Sequence, residues 1–145
     1  MRLNKTKSLL VLLLCWVSAT VMGQEQQPFK GEIYNDEYKL TLKMDFYAKN
    51  ITVPRQEAYG EVDGYFRSYE SFAIWLVTGT ELVNATTAQL DVINDYGSED
   101  FTAVLKLNAD GTYTLTKKQG STFKFPVRGK WQKIPATLVF KKVGK

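Results

Sequence analysis

A strict alternation of apolar and polar side chains over residues 38–46 limits the possible folds of this chain more than any other feature. The apolar positions recur at every second residue: Tyr38, Leu40, Leu42, Met44 and Phe46. Because successive side chains of a β-strand point to opposite faces, this pattern predicts a half-buried strand.

The same period of two recurs along the chain, and no segment shows the 3.6-residue period of a helix. We predict further strands over residues 29–34, 51–53, 86–94, 101–107, 113–115, 123–127 and 137–142. Turns are predicted at residues 35–36, 95–100, 108–111 and 117–121, and a less regular link at residues 129–136.

Residues 59–79 are predicted to form the central hairpin. Its first arm alternates from Tyr59 to Tyr69 and contains Gly60 and Gly64, which weaken a strand unless a bend, bulge or close neighbour requires them. Its second arm, residues 72–77, is almost continuously apolar and therefore predicts a strand buried on both faces. In this interpretation Val62 and Phe66 lie on one face, and Tyr65 lies on the other.

Eight or nine short strands joined by short turns favour an all-β fold. We predict a single antiparallel up-and-down barrel of about eight strands, because closing the sheet removes exposed edges. A β-sandwich is the alternative. The chain resembles the calycins, the lipocalin-like exported β-barrels, in strand count and size, although Gly31-Glu32-Ile33 stands where lipocalins carry Gly-x-Trp. The resemblance implies the barrel topology and transfers no binding residue.

The first 23 residues have the pattern of a secretory signal peptide. Basic residues precede an apolar run over residues 9–17, and small residues lead to Gly23. We therefore expect residues 1–23 to be removed, leaving residues 24–145 as one domain, secreted or periplasmic, with no transmembrane segment.

Charge is divided unevenly along the mature chain. Removing Arg2, Lys5 and Lys7 from the 19 basic residues leaves 16, against 15 acidic residues. Residues 24–100 contain 6 basic and 14 acidic side chains, whereas residues 101–145 contain 10 basic and 1 acidic. Interleaving of the two halves in the sheet is the favoured expectation, and separate acidic and basic faces are the alternative.

The residue types present exclude several kinds of catalytic and metal site. Cys15, the only cysteine, lies in the signal peptide, and the chain has no histidine, so nucleophilic triads and His/Cys zinc sites are excluded from the mature chain. We expect no enzyme activity, no cofactor and no metal. A carboxylate enzyme using Glu61 and Asp63 on one strand face is the minority interpretation, and calcium at the acidic loop of residues 91–100 is another.

Aromatic residues around the central hairpin indicate a binding surface. Flat rings beside hydrogen-bonding groups suit a glycan or another small molecule, and the candidate residues are Tyr59, Tyr65, Arg67, Tyr69, Trp75 and Trp131. We expect a non-catalytic binding domain that holds its ligand through this hairpin, and this predicts an enclosed apolar cavity of about a few hundred Å³. A filled core would contradict that expectation.

The alternative function is a protein-interaction module, an inhibitor or an envelope-assembly component that uses the charge polarity. Lysines interleaved with aromatic residues over residues 117–142 resemble single-strand nucleic-acid binders, but the export signal argues against that partner. Asn50 and Asn84 lie in Asn-x-Thr sequences and are glycosylation acceptors only in a eukaryote.

Overall fold

A computed structural model describes residues 27–144, so the predicted signal peptide lies outside the described residues. The described chain forms twelve strands and one turn of 3₁₀ helix, Glu57–Tyr59. The strands are β1 (Lys30–Asn35), β2 (Leu40–Asp45), β3 (Ile51–Thr52), β4 (Glu61–Val62), β5 (Gly64–Ser68), β6 (Ile74–Asn84), β7 (Thr87–Asn94), β8 (Asp100–Leu107), β9 (Tyr113–Gly120), β10 (Lys124–Val127), β11 (Lys130–Lys133) and β12 (Thr137–Lys142).

Eight of these strands close into an antiparallel barrel in the order β1, β2, β5, β6, β7, β8, β9, β12. Each barrel strand pairs with the next strand in this order. The barrel closes between β12 and β1, where Ile33 pairs with Lys142 and Tyr34 with Lys141. The predicted all-β barrel of about eight strands is confirmed, and the β-sandwich is not formed.

The barrel has two ends with different connections. One end carries the β5–β6 turn at residues 69–73, the β7–β8 loop at residues 95–99 and the long β9–β12 connection at residues 121–136. We call this end the rim. The other end carries the tight β6–β7 and β8–β9 turns, and Gly111 of the latter has φ +87°, the left-handed conformation expected for its position.

Within residues 27–144, side chains fill the interior of the barrel, so the prediction of an enclosed apolar cavity is wrong. Leu40, Leu42 and Met44 of β2 are buried, as the alternation predicts. The opposite face is not fully exposed, however, because Thr41 and Asp45 are buried too. Near the rim the core is aromatic, and Phe123 lies with its ring centre 4.9 to 5.4 Å from those of Phe66, Trp75 and Phe101.

Phe123 comes from a segment that the sequence assigned differently. The predicted strand at residues 123–127 exists as β10, but it pairs with β11 in a separate hairpin and is not a barrel strand. The predicted irregular link is wrong, because Lys130–Lys133 forms β11. Arg128 and Gly129 form the two-residue turn, with φ of 51° and 77°, the positive values that such turns require. The β10–β11 hairpin directs Phe123 and Phe125 into the rim end of the barrel.

A second, smaller apolar cluster lies outside the barrel wall. Val53 and Val62, from the segment around β3 and β4, pack against Tyr65, Ile74 and Leu76. This cover explains why β6 begins with residues buried on both faces. The predicted faces of the first arm are therefore wrong, since Val62 and Tyr65 share one cluster.

The two glycines of the first arm are required for different structural reasons. Gly60 follows the 3₁₀ helix with φ +70°, so the continuous alternation predicted through residues 59–69 is interrupted. A Cβ on Gly64 would lie 2.5 Å from the backbone oxygen of Lys43, so this glycine permits β5 to approach β2.

Two further boundaries differ from the predictions. Phe72, placed in the buried arm, is 89% exposed and precedes β6. Residues 117–120, predicted as part of a turn, instead continue β9. They pair with the beginning of β8, where Phe101 lies opposite Gly120. Within residues 27–144, no helix has the length and apolar character needed to cross a bilayer.

Candidate functional site

The exposed aromatic side chains collect at the rim. Among residues 27–144, five aromatic side chains are exposed, from 39% for Tyr59 to 89% for Phe72: Tyr59, Tyr69, Phe72, Tyr96 and Trp131. They come from four different connections, yet each of those connections reaches the rim. Large exposed apolar groups on one surface are typical of recognition sites.

The predicted site residues do not share one strand face. Tyr59, Tyr69 and Trp131 are exposed at the rim, and Arg67 is exposed on β5 beside it. Trp75 is buried, with 2% of its surface exposed, and Tyr65 is packed in the outer cluster. Burial raises the pKa of the Tyr65 phenol, and Arg67 nearby opposes that rise.

A cleft of about 610 Å³ lies at the rim between the β5–β6 turn, the β7–β8 loop and the β10–β11 hairpin. We call it the rim cleft. Phe72, Tyr96 and Trp131 contribute exposed rings to its walls, and Trp75 contributes to its lining from the buried side. The indole nitrogen Nε1 of Trp75 donates a hydrogen bond to the Lys124 backbone oxygen at 2.9 Å. This bond holds the β10–β11 hairpin against the barrel wall.

Two ion pairs join the β10–β11 hairpin to the two loops that face it. Lys124 Nζ lies 3.4 Å from Glu99 Oε1, and Arg128 Nη2 lies 3.3 Å from Glu70 Oε2. The same Lys124 ammonium lies 4.9 Å from the centre of the Trp131 ring, within the range of a cation–π contact. Both pairs connect the acidic half of the chain with the basic half, as interleaving of charge predicts.

Local hydrogen bonds fix the turn that carries Glu70 and Phe72. Ser68 Oγ accepts the Glu70 backbone N–H at 3.2 Å, and Ser71 Oγ accepts the Ala73 N–H at 3.1 Å. Serine favours such turns because its hydroxyl reaches the amide two residues on. The turn is therefore shaped before any ligand binds.

The opposite loop is organised by Asn94. Its side-chain oxygen accepts the Ser98 and Glu99 N–H groups at 2.9 and 3.2 Å, and its amide nitrogen donates to Ser98 Oγ. The Asp95 carboxylate accepts the Ile74 N–H at 3.4 Å. In the described part of the chain, no three acidic side chains are placed to share a metal ion. The hydrogen bonds of Asn94 and Asp95 stabilise the loop itself.

Glu61 and Asp63 do not stand side by side on one strand face, contrary to the prediction. Glu61 is exposed in β4, whereas Asp63 is buried after it. The Asp63 carboxylate accepts the Thr80 hydroxyl at 2.5 Å and lies 3.7 Å from Lys49 Nζ. Asp63 is thereby occupied in joining three segments of the fold.

Phe72 and Tyr96 are the site residues that sequence reasoning missed. The apolar run over residues 72–77 predicts Phe72 in the buried arm of the hairpin, and the sequence around Tyr96 predicts only an acidic loop. Their common signal is an aromatic residue inside a turn between strands, where burial is rare.

No known protein family, curated protein or solved structure matches this chain. The closed antiparallel barrel itself is consistent with a calycin-like topology.

Proposed function

We propose that this chain is an exported, non-catalytic binding domain that recognises a glycan or another small molecule in the rim cleft. The observation that carries the proposal is the concentration of the exposed aromatic rings at one barrel end, around a cleft of about 610 Å³. A volume of this order accommodates a small ligand.

Because side chains fill the barrel interior, we propose that the ligand binds at the rim. The rings of Phe66, Phe101 and Phe123 occupy the space in which a hollow barrel would hold an apolar ligand. We therefore place the ligand outside the core. The relationship to lipocalins that we propose is limited to the barrel topology and does not include a central ligand cavity.

Polar groups beside exposed rings suit a sugar. A sugar ring presents an apolar face that can lie against the exposed indole of Trp131, and its hydroxyl groups can bond to charged side chains. Glu70, Glu99 and Arg128 supply acceptors and donors within the same cleft. Because these charges are already paired, the rim cleft accepts a neutral ligand without leaving a charge unpaired.

A protein partner is the second candidate, favoured by the same composition. Tyrosine, tryptophan and arginine are enriched at the centres of protein interfaces, and Tyr96, Trp131 and Arg128 are exposed here together. A single glycan contacts only the rim cleft, whereas a protein partner would cover the surrounding rim as well.

The test is a screen of immobilised oligosaccharides followed by calorimetric titration of the best binder. Trp131→Ala is expected to weaken binding at least about tenfold, equal to about 1.4 kcal/mol, because the stacking surface is lost. Leu82→Ala, a partly exposed apolar position at the opposite end of the barrel, is the matched control and should bind like the parent protein. Equal affinity of the Trp131→Ala variant would contradict the proposal.

A further inference from the structure

A second cleft at the rim carries a different chemistry. It measures about 460 Å³ and shares Glu70, Ser71 and Phe72 with the rim cleft. We call it the side cleft. Arg55 follows β3 and Arg67 lies on β5, and both line it together with Tyr69. Two of the six basic residues in the acidic part of the chain thus meet in one cleft.

Among residues 27–144, neither guanidinium forms an ion pair with a carboxylate: the ion pairs there involve other cations, and Glu70 of this cleft is paired with Arg128. The Arg55 guanidinium lies 5.6 Å from the centre of the Phe72 ring, and the Glu57 carboxylate beside it accepts the Arg55 backbone N–H. In the sheet, Arg67 stands between Thr41 and Ile74, which carry no charge.

We propose that the side cleft binds the anionic group of an acidic glycan, either a carboxylate or a sulfate ester. This inference rests on the proposed function, since the rim cleft would hold the adjoining sugar. The planar fork of a guanidinium matches two oxygens of an oxyanion and forms strong charge-assisted hydrogen bonds. Exposed Tyr69 and Phe72 place apolar ring surface beside the two cations.

Ser71 links the two clefts chemically as well as spatially. Its Oγ accepts the Ala73 N–H, and a hydroxyl that accepts one hydrogen bond still has its own proton to donate. An oxygen of a ligand that crosses from one cleft to the other would meet this donor. The geometry therefore favours a chain of at least two sugar units over an isolated anion.

The experiment uses two matched pairs of probes with the intact protein. One pair is an oligogalacturonate and its methyl ester, and the other is a sulfated dextran oligomer and plain dextran oligomer. Calorimetry should show at least one acidic member binding about tenfold tighter than its neutral partner. Arg67→Ala and Arg55→Ala should each remove most of that preference while changing the affinity for the neutral member less than twofold. Preference for the carboxylated or the sulfated pair identifies the anion.

Lys106→Ala is the matched control for charge, because Lys106 is exposed on β8 toward the opposite end of the barrel. It should leave the preference unchanged, and circular dichroism should show all variants folded. Equal loss in Lys106→Ala and Arg67→Ala would overturn the inference by showing unspecific charge attraction. Equal affinity for acidic and neutral members would overturn it too, yet the proposed function would survive if Trp131→Ala still weakened both. Binding of poly-glutamate with the same arginine dependence would overturn this inference alone, whereas failure of every oligosaccharide to bind would overturn both proposals.

Discussion

Gly64 shows how a single residue position is fixed by the backbone of a neighbouring strand. An added Cβ would lie 2.5 Å from the Lys43 oxygen and 3.2 Å from the Met44 Cα, both backbone atoms. We expect Gly64→Ala to lower the free energy of unfolding by about 1 to 3 kcal/mol, as overpacking does.

Gly79→Ala is the control for Gly64→Ala. The atoms nearest to its Cβ would belong to the Asp91 side chain, the closest at 3.1 Å, and that side chain can move aside. Urea unfolding should give a change within about 0.5 kcal/mol of the parent for Gly79→Ala. Equal losses in the two variants would show that β5 does not approach β2 so closely.

Tyr113 links the stability of the fold to alkaline pH. Its hydroxyl donates to the Pro28 oxygen at 2.6 Å, and burial, followed by the effect of Tyr47, raises the pKa of the Tyr113 phenol. The unfolded phenol has a pKa of about 10. Below that pH both states are protonated, so the stability is unaffected; above it the unfolded chain loses the proton first, and stability falls as pH rises.

We expect Tyr113→Phe to lose about 1 kcal/mol at pH 7, the value of one hydrogen bond, and to show a shallower decline in stability above about pH 10. Urea unfolding of both proteins across that range measures the difference. Tyr96→Phe, altered at an exposed position, should match the parent at pH 7. An identical alkaline decline in Tyr113→Phe and the parent would refute the assignment.

Among the secondary-structure elements, the β10–β11 hairpin does most to distinguish this barrel from a hollow one. Phe123 is buried among four aromatic rings, whereas Phe72 at the same end is exposed. Phe123→Ala should therefore lower the free energy of unfolding by about 3 to 5 kcal/mol, and Phe72→Ala by less than about 0.5 kcal/mol. Comparable values in chemical denaturation would mean that the hairpin does not close the barrel.

The elements were predictable from sequence to the extent that their signals are local. Alternation located most of the barrel strands, because period two reflects the backbone of each strand alone, and the apolar run over residues 72–77 located the start of β6. The same alternation at Phe123 and Phe125 predicted a strand without revealing that it lies across the barrel end. Burial of Tyr65 also depends on a distant segment, residues 51–62, which the alternation around Tyr65 does not encode.

In the molecule as a whole, opposite charges meet where the two halves of the chain come together at the rim. Glu70 and Glu99 belong to the acidic half, and their partners Arg128 and Lys124 belong to the basic half. The sequence revealed the difference in charge between the two halves, but which opposite charges pair depends on closure of the barrel. Of the predicted site residues, Tyr59, Arg67, Tyr69 and Trp131 reach the surface at or beside the rim, Trp75 lines the rim cleft from within, and Tyr65 does not take part.

Mapping of a bound glycan by NMR tests whether the rim is the binding surface. Backbone amide shifts of the isotope-labelled protein would be followed during titration with the best oligosaccharide from the screen. We expect the perturbed amides to cluster in residues 69–73, 94–99 and 124–131, which surround the rim cleft. Perturbations confined to the opposite end, at residues 82–87 and 108–112, would contradict binding at the rim.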